Sequence, residues 1–249
     1  MKVLRIVAQG VTTSFRYPHF IHGVHPTFEM PPPSTIYGHI CSALGKWMAP
    51  EGVRFAYLFK FQAKFHDVEH LHLVSKSSGR LEGTRIAKVL QGSVNPFKRE
   101  ILFNPTLVLY INKPEWYQSF HSPVYPVVLG RSQDLFSYTD IRVVELQTSD
   151  KAYFENTLAP FDFGLRAGSG YAVLMPKFLD YTRGRAPTFE RYYVLRRRVF
   201  SEDIMRIAGG KHKFVVDPLA EEVNGSRLGL CFHSFVGDDD NNEFMAFMA

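Results

Sequence analysis

The chain has 249 residues, a formal net charge of +5 and two cysteines. Apolar residues make up 45% and charged residues 21% of it, which excludes wholesale disorder, and two cysteines are too few for a disulfide framework or a cysteine-based zinc site. Every apolar run falls short of the roughly 20 residues of a membrane span, and Arg5 interrupts the first apolar stretch, so we expect no membrane span, no signal peptide and a cytoplasmic location.

The first predicted elements are a strand, a loop and a helix. Residues 3–9 alternate in the manner of a strand whose apolar face carries Leu4, Ile6 and Ala8. A loop rich in proline, glycine and histidine follows. Residues 34–47 repeat apolar side chains at helical spacing, which predicts a helix that Ser34 caps.

The middle of the chain begins with the clearest strand pattern. Aromatic side chains alternate with polar ones over residues 54–65, which predicts a single strand. Residues 66–67 suit a turn, and residues 69–75 suit a returning hairpin partner. A polar, glycine-spaced excursion over residues 76–100 follows and is too long for an ordinary structureless connection.

The remaining core elements are a strand over residues 101–111, with Pro105 at a bulge or edge, a short helix over 114–122 and a strand over 139–147. The order βαββαβ, with the excursion inserted, predicts an α+β fold with a ferredoxin-like core. RNA-recognition (RRM-like) modules share this plan and leave one face or edge of the sheet open to RNA.

The sequence changes character after residue 147. Glycine-spaced aromatic strands are expected at residues 164–174 and 191–200. We therefore predict two domains, a ferredoxin-like domain over residues 1–147 with its excursion at 76–100, and a smaller β-rich C-terminal domain over 148–249.

The positive charge is concentrated in two segments. Residues 76–100 hold six basic and two acidic side chains, and residues 183–213 hold nine and three. Asp238, Asp239 and Asp240 form an acidic group near the end of the sequence. Clustered basic residues are typical of a polyanion-binding protein, and solvated surface segments can have the same composition.

A helix start with hydroxyl side chains is a candidate anion site. Three prolines precede Ser34, Thr35 and Tyr37 in the segment PPPSTIYGHICSALG at residues 31–45. Unpaired backbone N–H groups and hydroxyls at such a helix start can hold a phosphate, and Arg16 in the preceding Ser-Phe-Arg loop can reach the same anion. The alternative is that Ser34 only caps the helix.

These motifs resemble the CRISPR-associated RAMP subunit of Cas family five, which caps the 5′ end of the guide RNA in type I (Cascade) effector complexes. The resemblance rests on the strand that ends in glycine, the loop from Ser14 to Arg16, the proline-rich helix start and the segment LGRSQDL at residues 129–135. It covers about the first 147 residues and is closest to the type I-B branch.

The resemblance implies a non-catalytic subunit that holds the 5′ handle of the guide RNA, with residues 76–100 as a protruding thumb. Arg131 would offer a planar guanidinium to a phosphate or base, and Ser132 and Gln133 would bond base edges. The implied partners are the guide RNA, the repeated backbone RAMP subunits, the large effector subunit and target DNA near its flanking motif. The RNA-binding candidates are Ser14, Arg16, Ser34, Thr35, Tyr37, Lys76, Arg80, Arg85, Lys88, Arg131, Ser132, Gln133 and Arg166.

Catalysis and metal binding receive little support from the residues. Histidine, tyrosine and lysine suffice for metal-independent RNA cleavage, and the type I-C branch processes precursor guide RNA in this way, so an endoribonuclease is the alternative function. No catalytic set can be placed. Histidines 19, 22 and 25, and 66, 70 and 72, lack a metal-site pattern, so no metal or cofactor is expected. An α+β interaction domain without nucleic acid is the remaining alternative.

Overall fold

A computed structural model describes residues 1–20, 23–208 and 213–237, with only the backbone described for 205–208. Within these ranges the protein is a sheet-rich α+β molecule with few helices. The predicted acidic group at Asp238, Asp239 and Asp240 lies outside the described residues, as do His22 and Lys211. In the described part of the chain, no helix is both long and apolar enough to span a membrane.

Strands outnumber helices along the described chain. The strands are β1 (Lys2–Gly10), β2 (Thr12–Thr13), β3 (Val24–His25), β4 (Arg54–Lys60), β5 (Ala63–Lys76), β6 (Leu90–Phe103), β7 (Thr106–Ile111), β8 (Phe136–Glu145), β9 (Gln147–Ser149), β10 (Ala152–Phe154), β11 (Thr157–Pro160), β12 (Tyr171–Asp180), β13 (Ala186–Leu195), β14 (Val199–Phe200), β15 (Phe214–Val216), β16 (Arg227–Leu228) and β17 (His233–Ser234). The helices are α1 (Pro33–Leu44), α2 (Tyr117–His121), α3 (Phe161–Arg166) and α4 (Ser201–Ala208), with 3₁₀ turns at Pro114–Trp116 and Tyr181–Arg183.

Four strands from the first part of the chain lie side by side in the order β4-β7-β1-β8, and every neighbouring pair is antiparallel. The apolar face predicted for β1 is confirmed, since Leu4, Ile6 and Ala8 are buried in the main core. Helix α1 packs on this face through Ile36 and Ile40, which are fully buried. Alternation along β1 and helical spacing along α1 thus place both apolar surfaces in one interface.

The second face of these strands is also covered, so the open face is wrong, whereas the open edge, the other predicted opening, stays a prediction. Val3 and Tyr110 on this face pack with Leu230 and Phe232 from the C-terminal part of the chain. Strands β11, β13 and β12 extend the same sheet beyond β4, and β17 pairs with β4 as well. The boundary at residue 147 stays a prediction.

A long two-stranded hairpin projects from the sheet, and we call residues 63–103 the arm. Strands β5 and β6 have 14 residues each and pair antiparallel from Ala63 opposite Phe103 to Lys76 opposite Leu90. Thirteen steps at about 3.4 Å give the paired region a length of roughly 44 Å. Strands β2 and β3 pair with the proximal end of β6, where Leu102 is fully buried, whereas the distal side chains are exposed.

The strand boundaries predicted around the arm are wrong. The predicted strand 54–65 is two strands that break at residues 61–62, and the turn expected at 66–67 lies inside β5. The strand expected over 101–111 is likewise interrupted, because Asn104 has φ +52° and Pro105 cannot donate to a ladder. Aromatic alternation runs through the first break without interruption, which is why the pattern did not mark it.

Two local predictions also differ from the structure. Ser34 makes no capping hydrogen bond, since α1 starts one residue earlier and Pro32 occupies the cap position. Helix α1 then ends at Leu44, with Gly45 in a left-handed conformation. The strand predicted over 164–174 begins only at Tyr171, because α3 occupies the residues up to Arg166.

Candidate functional site

A cleft of about 300 Å³ lies where the loop after β2, the start of α1, the base of the arm and the turn before β8 meet. We call it the cleft. It is lined by Ser14, Phe15, Arg16, Pro32, Thr35, Arg99, Gly130, Arg131 and Pro176. Segments that are far apart in sequence, including three that the sequence motifs singled out, therefore meet at one place.

Gly130 allows the turn before β8 to approach the loop that follows β2. Its φ is +103°, and an added Cβ would lie 2.4 Å from the Thr13 hydroxyl oxygen and 2.9 Å from the Ser14 carbonyl oxygen. The Thr13 hydroxyl also donates a hydrogen bond to the Leu129 carbonyl at 2.5 Å. Only glycine fits both this backbone conformation and this contact, so the glycine–arginine motif has a steric basis.

Arg131 is held by two carboxylates from different parts of the fold. Its Nε and Nη2 donate to Asp134 at 2.9 and 2.7 Å, and its Nη1 donates to Glu69 on β5. Glu69 also accepts a hydrogen bond from Nε of Arg99 at 2.6 Å. The hydrogen bonds that Arg131 donates to Asp134 and Glu69 raise its pKa.

This network changes the role expected for Arg131. Its planar fork was predicted to face a phosphate or base, but Asp134 occupies two of its N–H groups and Glu69 a third. A guanidinium has five N–H donors, so two remain for a ligand. Arg131 and Glu69 thereby fasten the arm to the turn, and Arg99 is held beside them at 8% exposure.

The cleft also contains polar groups without protein partners. The Ser14 side chain is 3% exposed and its hydroxyl makes no hydrogen bond within the described structure. A buried hydroxyl without a partner is costly, so a ligand at this position would satisfy it. Arg16 is exposed at the rim and forms no ion pair with any described residue, and Thr35 is half-buried beside it.

The start of α1 offers fewer donors than predicted. The N–H groups of Thr35 and Ile36 both donate to the Pro32 carbonyl, at 2.8 and 3.2 Å. These amides are therefore not available to an anion. What the helix start contributes to the cleft is the Thr35 side chain, placed there by the rigid prolines before it.

The structure divides the predicted RNA-binding residues among separate regions. The cleft is lined by four of them, Ser14, Arg16, Thr35 and Arg131. Three more lie within two residues of this lining in sequence: Ser34, Ser132 and Gln133. The distal end of the arm holds Lys76, Arg80, Arg85 and Lys88. The two groups are separated along the arm, because Lys76 lies seven residues beyond Glu69, or roughly 24 Å along a strand.

Two predicted residues do not line the cleft. Tyr37 is 2% exposed and its hydroxyl donates to the Met48 carbonyl at 2.6 Å, so its prediction as an RNA contact is corrected: it is a core residue. Arg166 lies on α3, whose Phe163 packs with Ala159 of β11. Leu158, which precedes Ala159 on β11, packs instead in the core that contains the buried residues of α1. Arg166 is therefore on the opposite face of the sheet from α1.

Three residues of the cleft network were not predicted as site residues. Asp134 lies within the LGRSQDL segment, so the motif itself could have signalled it. Glu69 and Arg99 could not be found in this way, because their contact depends on the hairpin register of the arm.

A second cavity, of about 450 Å³, lies near the cleft, and we call it the side pocket. It is lined by Tyr17, Phe20, Pro26, Thr27, Glu29, Lys64, Glu100 and Tyr171. Burial acts to raise the pKa of Glu29, but hydrogen bonds from Lys64 and Arg196 outweigh it and lower that pKa. In the described ranges, no group of three or more His, Cys, Asp or Glu side chains is placed to hold a metal ion.

Comparisons with known proteins give likenesses of structure alone. No protein-family model matches the sequence, and no curated protein sequence matches it. The chain is similar to a chain of a CRISPR RNA-guided surveillance complex, with a TM-score of 0.50 and 12% identity over 80% of this chain and 90% of that one.

Two further solved structures are similar at lower scores. A CRISPR protein from Archaeoglobus fulgidus has a TM-score of 0.46 and 12% identity, over 93% of this chain and 100% of that one. A chain of type III-B Cmr-beta bound to cognate target RNA has a TM-score of 0.45 and 11% identity, over 84% and 88%. The first similarity shows that this chain shares its fold with that chain of the surveillance complex.

Proposed function

We propose that this protein is a non-catalytic, guide-RNA-binding subunit of a type I CRISPR effector complex, in which the cleft holds the 5′ handle of the guide. The fold it shares with a chain of an RNA-guided surveillance complex supports a role in such an assembly. The proposed type I-B branch rests on the sequence motifs alone.

One observation carries this proposal: the loop at Ser14–Arg16, the start of α1 and the Gly130–Arg131 turn converge on one cleft. A phosphate there would accept hydrogen bonds from the buried Ser14 hydroxyl and the Thr35 hydroxyl, and Arg16 would neutralise its charge. Ser132 and Gln133, both exposed on the turn, are placed to reach bases that follow.

The topology supports the proposed core. The antiparallel order β4-β7-β1-β8, with α1 after β1 and α2 after β7, is the order of a ferredoxin-like βαββαβ unit. We interpret residues 1–147 as this unit with the arm inserted between its second and third strands. The residues from 148 onward are then a β-rich part that covers its second face.

The arm has the surface of an element that docks against other molecules. Large apolar side chains on its distal half are about half exposed or more, among them Leu71, Leu73, Ile86 and Val89. Exposed apolar clusters of this kind mark interaction surfaces. We assign them to the neighbouring backbone subunit, and propose that the large subunit and the target DNA near its flanking motif contact other surfaces.

The test is the affinity for a repeat-derived 5′-handle RNA across ionic strength. We expect a steep salt dependence, a loss of about tenfold in Ser14→Ala without loss of stability, and a similar loss in Arg16→Ala. Lys46→Ala is the control, because it removes the same charge from the opposite end of α1, where Lys46 is exposed. No binding, or equal losses in Arg16→Ala and Lys46→Ala, would contradict the proposal.

A second candidate function is metal-independent cleavage of precursor guide RNA. Its specific support is that Tyr17 and Lys64 line the side pocket and that Glu100, also in its lining, has His66 Nε2 at 3.8 Å. In such a reaction the 2′-hydroxyl attacks the adjacent phosphorus, which expels the 5′-oxygen and leaves a cyclic phosphate. Cleavage of repeat RNA at one position in EDTA would establish it, and intact RNA would exclude it.

A further inference from the structure

The side pocket has aromatic walls. The ring of Tyr17 stacks on Phe28 at a centroid distance of 3.7 Å, and Phe20 approaches its edge at 5.8 Å. Phe20 is 53% exposed and Tyr171, on the pocket lining, is 37% exposed. Exposed rings around a cavity of ligand size provide the surfaces on which unpaired bases stack.

The floor of the side pocket has one carboxylate oxygen that remains open to a ligand. Both oxygens of Glu29 already accept hydrogen bonds, Oε1 from Lys64 at 3.1 Å, and Oε2 from Arg196 at 2.9 Å and from the Tyr171 hydroxyl at 3.3 Å. Glu100 uses Oε2 to accept the Thr27 N–H at 3.0 Å, whereas its Oε1 has only Lys64 and His66 nitrogens at 3.8 Å. That distance exceeds hydrogen-bond length, so Oε1 can accept a bond from a ligand N–H.

The charge balance favours a neutral ligand. The two carboxylates, Glu29 and Glu100, face two cations, Lys64 and Arg196, through the contacts just described. A phosphate would meet carboxylates here, whereas a flat, uncharged ring with an N–H donor would meet aromatic walls and an acceptor. The side pocket therefore complements a different part of a nucleotide from the cleft.

The two cavities are adjacent along the chain. Arg16 lines the cleft and Tyr17 lines the side pocket, and the Arg16–Thr27 bridge joins the segments that form both walls. Neighbouring residues of one segment therefore line both cavities.

We propose that the side pocket holds one unpaired nucleobase that bears an exocyclic amino group, stacked against the aromatic walls, with that amino group donating to Oε1 of Glu100. This inference rests on the proposed RNA-binding function and adds base selectivity to it. Adenine, cytosine and guanine bear such an amino group. Uracil has none, and its N3–H donor is flanked by two carbonyl oxygens that would meet the carboxylate.

The experiment compares the binding of oligo(A), oligo(C) and oligo(U) RNA of equal length at one salt concentration. We expect the A and C oligomers to bind at least about tenfold more tightly than U. Glu100→Gln should abolish or invert this preference, because a carboxamide can donate to the uracil carbonyl while still accepting the Thr27 N–H. Glu115→Gln, at an exposed position, is the charge control.

A second variant tests the walls independently of the floor. Phe20→Ala should weaken binding of the A and C oligomers by about tenfold, since stacking of a base on one aromatic ring contributes that much. Equal, salt-dependent binding of all three oligomers, or a preference that Glu100→Gln leaves unchanged, would overturn the base pocket and leave the RNA-binding proposal standing. Absence of binding to any oligomer would overturn both.

Discussion

The cleft and the distal end of the arm both contain arginine side chains, but those of the network in the cleft are held by ion pairs and those of the arm are exposed. In the cleft, Arg99 and Arg131 are fixed by Glu69 and by the turn that they join. On the arm, Arg80 and Arg85 are exposed and form no ion pair with a described residue. Fixed guanidinium groups define a geometry, whereas exposed ones without an ion pair add attraction that depends on salt, so the two regions should contribute differently to the same ligand.

The largest expected effect tests whether the close contact at Gly130 sets the geometry of the cleft. Gly130→Ala should lower the free energy of unfolding by about 3 kcal/mol, because it adds a clash to a strained backbone. Gly79→Ala on the arm is the matched control, since its φ of +109° is similar but nothing lies within 4 Å of an added Cβ. Urea unfolding measures both, and equal losses would show that contact with Thr13 does not matter.

The next effect separates position from charge. Glu69→Gln releases Arg99 and Arg131 and should cost about 1–2 kcal/mol of stability, a value reduced because the pairs are partly exposed. It also makes the cleft more positive, so attraction alone would strengthen RNA binding. We expect a loss of about tenfold instead, measured as handle-RNA affinity. Tighter binding would mean that the charge of the cleft, and not the fixed positions of Arg99 and Arg131, governs its affinity for RNA.

A smaller effect is expected when the distal end of the arm loses its basic side chains. The triple variant R80A/R85A/K88A should leave stability unchanged within about 0.5 kcal/mol, because these side chains have no described ion pairs. If all three neutralise RNA phosphates, the slope of log affinity against log salt should fall by about 2. An unchanged slope would remove the arm tip from the RNA-binding surface.

The smallest effect concerns the support behind the turn. His39 donates from Nδ1 to the Val128 carbonyl at 3.0 Å and accepts from the Tyr138 hydroxyl at Nε2, also at 3.0 Å. Burial lowers the pKa of His39 below 6.5, so the unfolded chain takes up a proton before the folded one does. Stability should therefore fall as pH decreases through that range.

Unfolding at pH 8 and pH 5.5 measures this effect, which should be smaller in His39→Gln. The exposed His121, replaced by Gln, is the control. An identical pH dependence in wild type and His39→Gln would show that His39 is not the titrating support.

The sequence by itself determined part of the local structure. Alternation over β1, helical spacing over α1 and the glycine before Arg131 are signals that operate within a few residues, and each led to the observed element. The prolines and hydroxyl side chains at residues 31–37 likewise predicted a candidate anion site at the helix start. Such signals are reliable because backbone sterics and side-chain periodicity act locally.

Only the tertiary structure decided which of these pieces meet and which are buried. The contact between Glu69 and Arg131 spans 62 residues and depends on the register of the arm. The burial of Tyr37 and the covering of the second face by Phe232 depend on where the C-terminal part of the chain packs. These are long-range choices set by the packing of whole surfaces, and no periodicity within one segment encodes them.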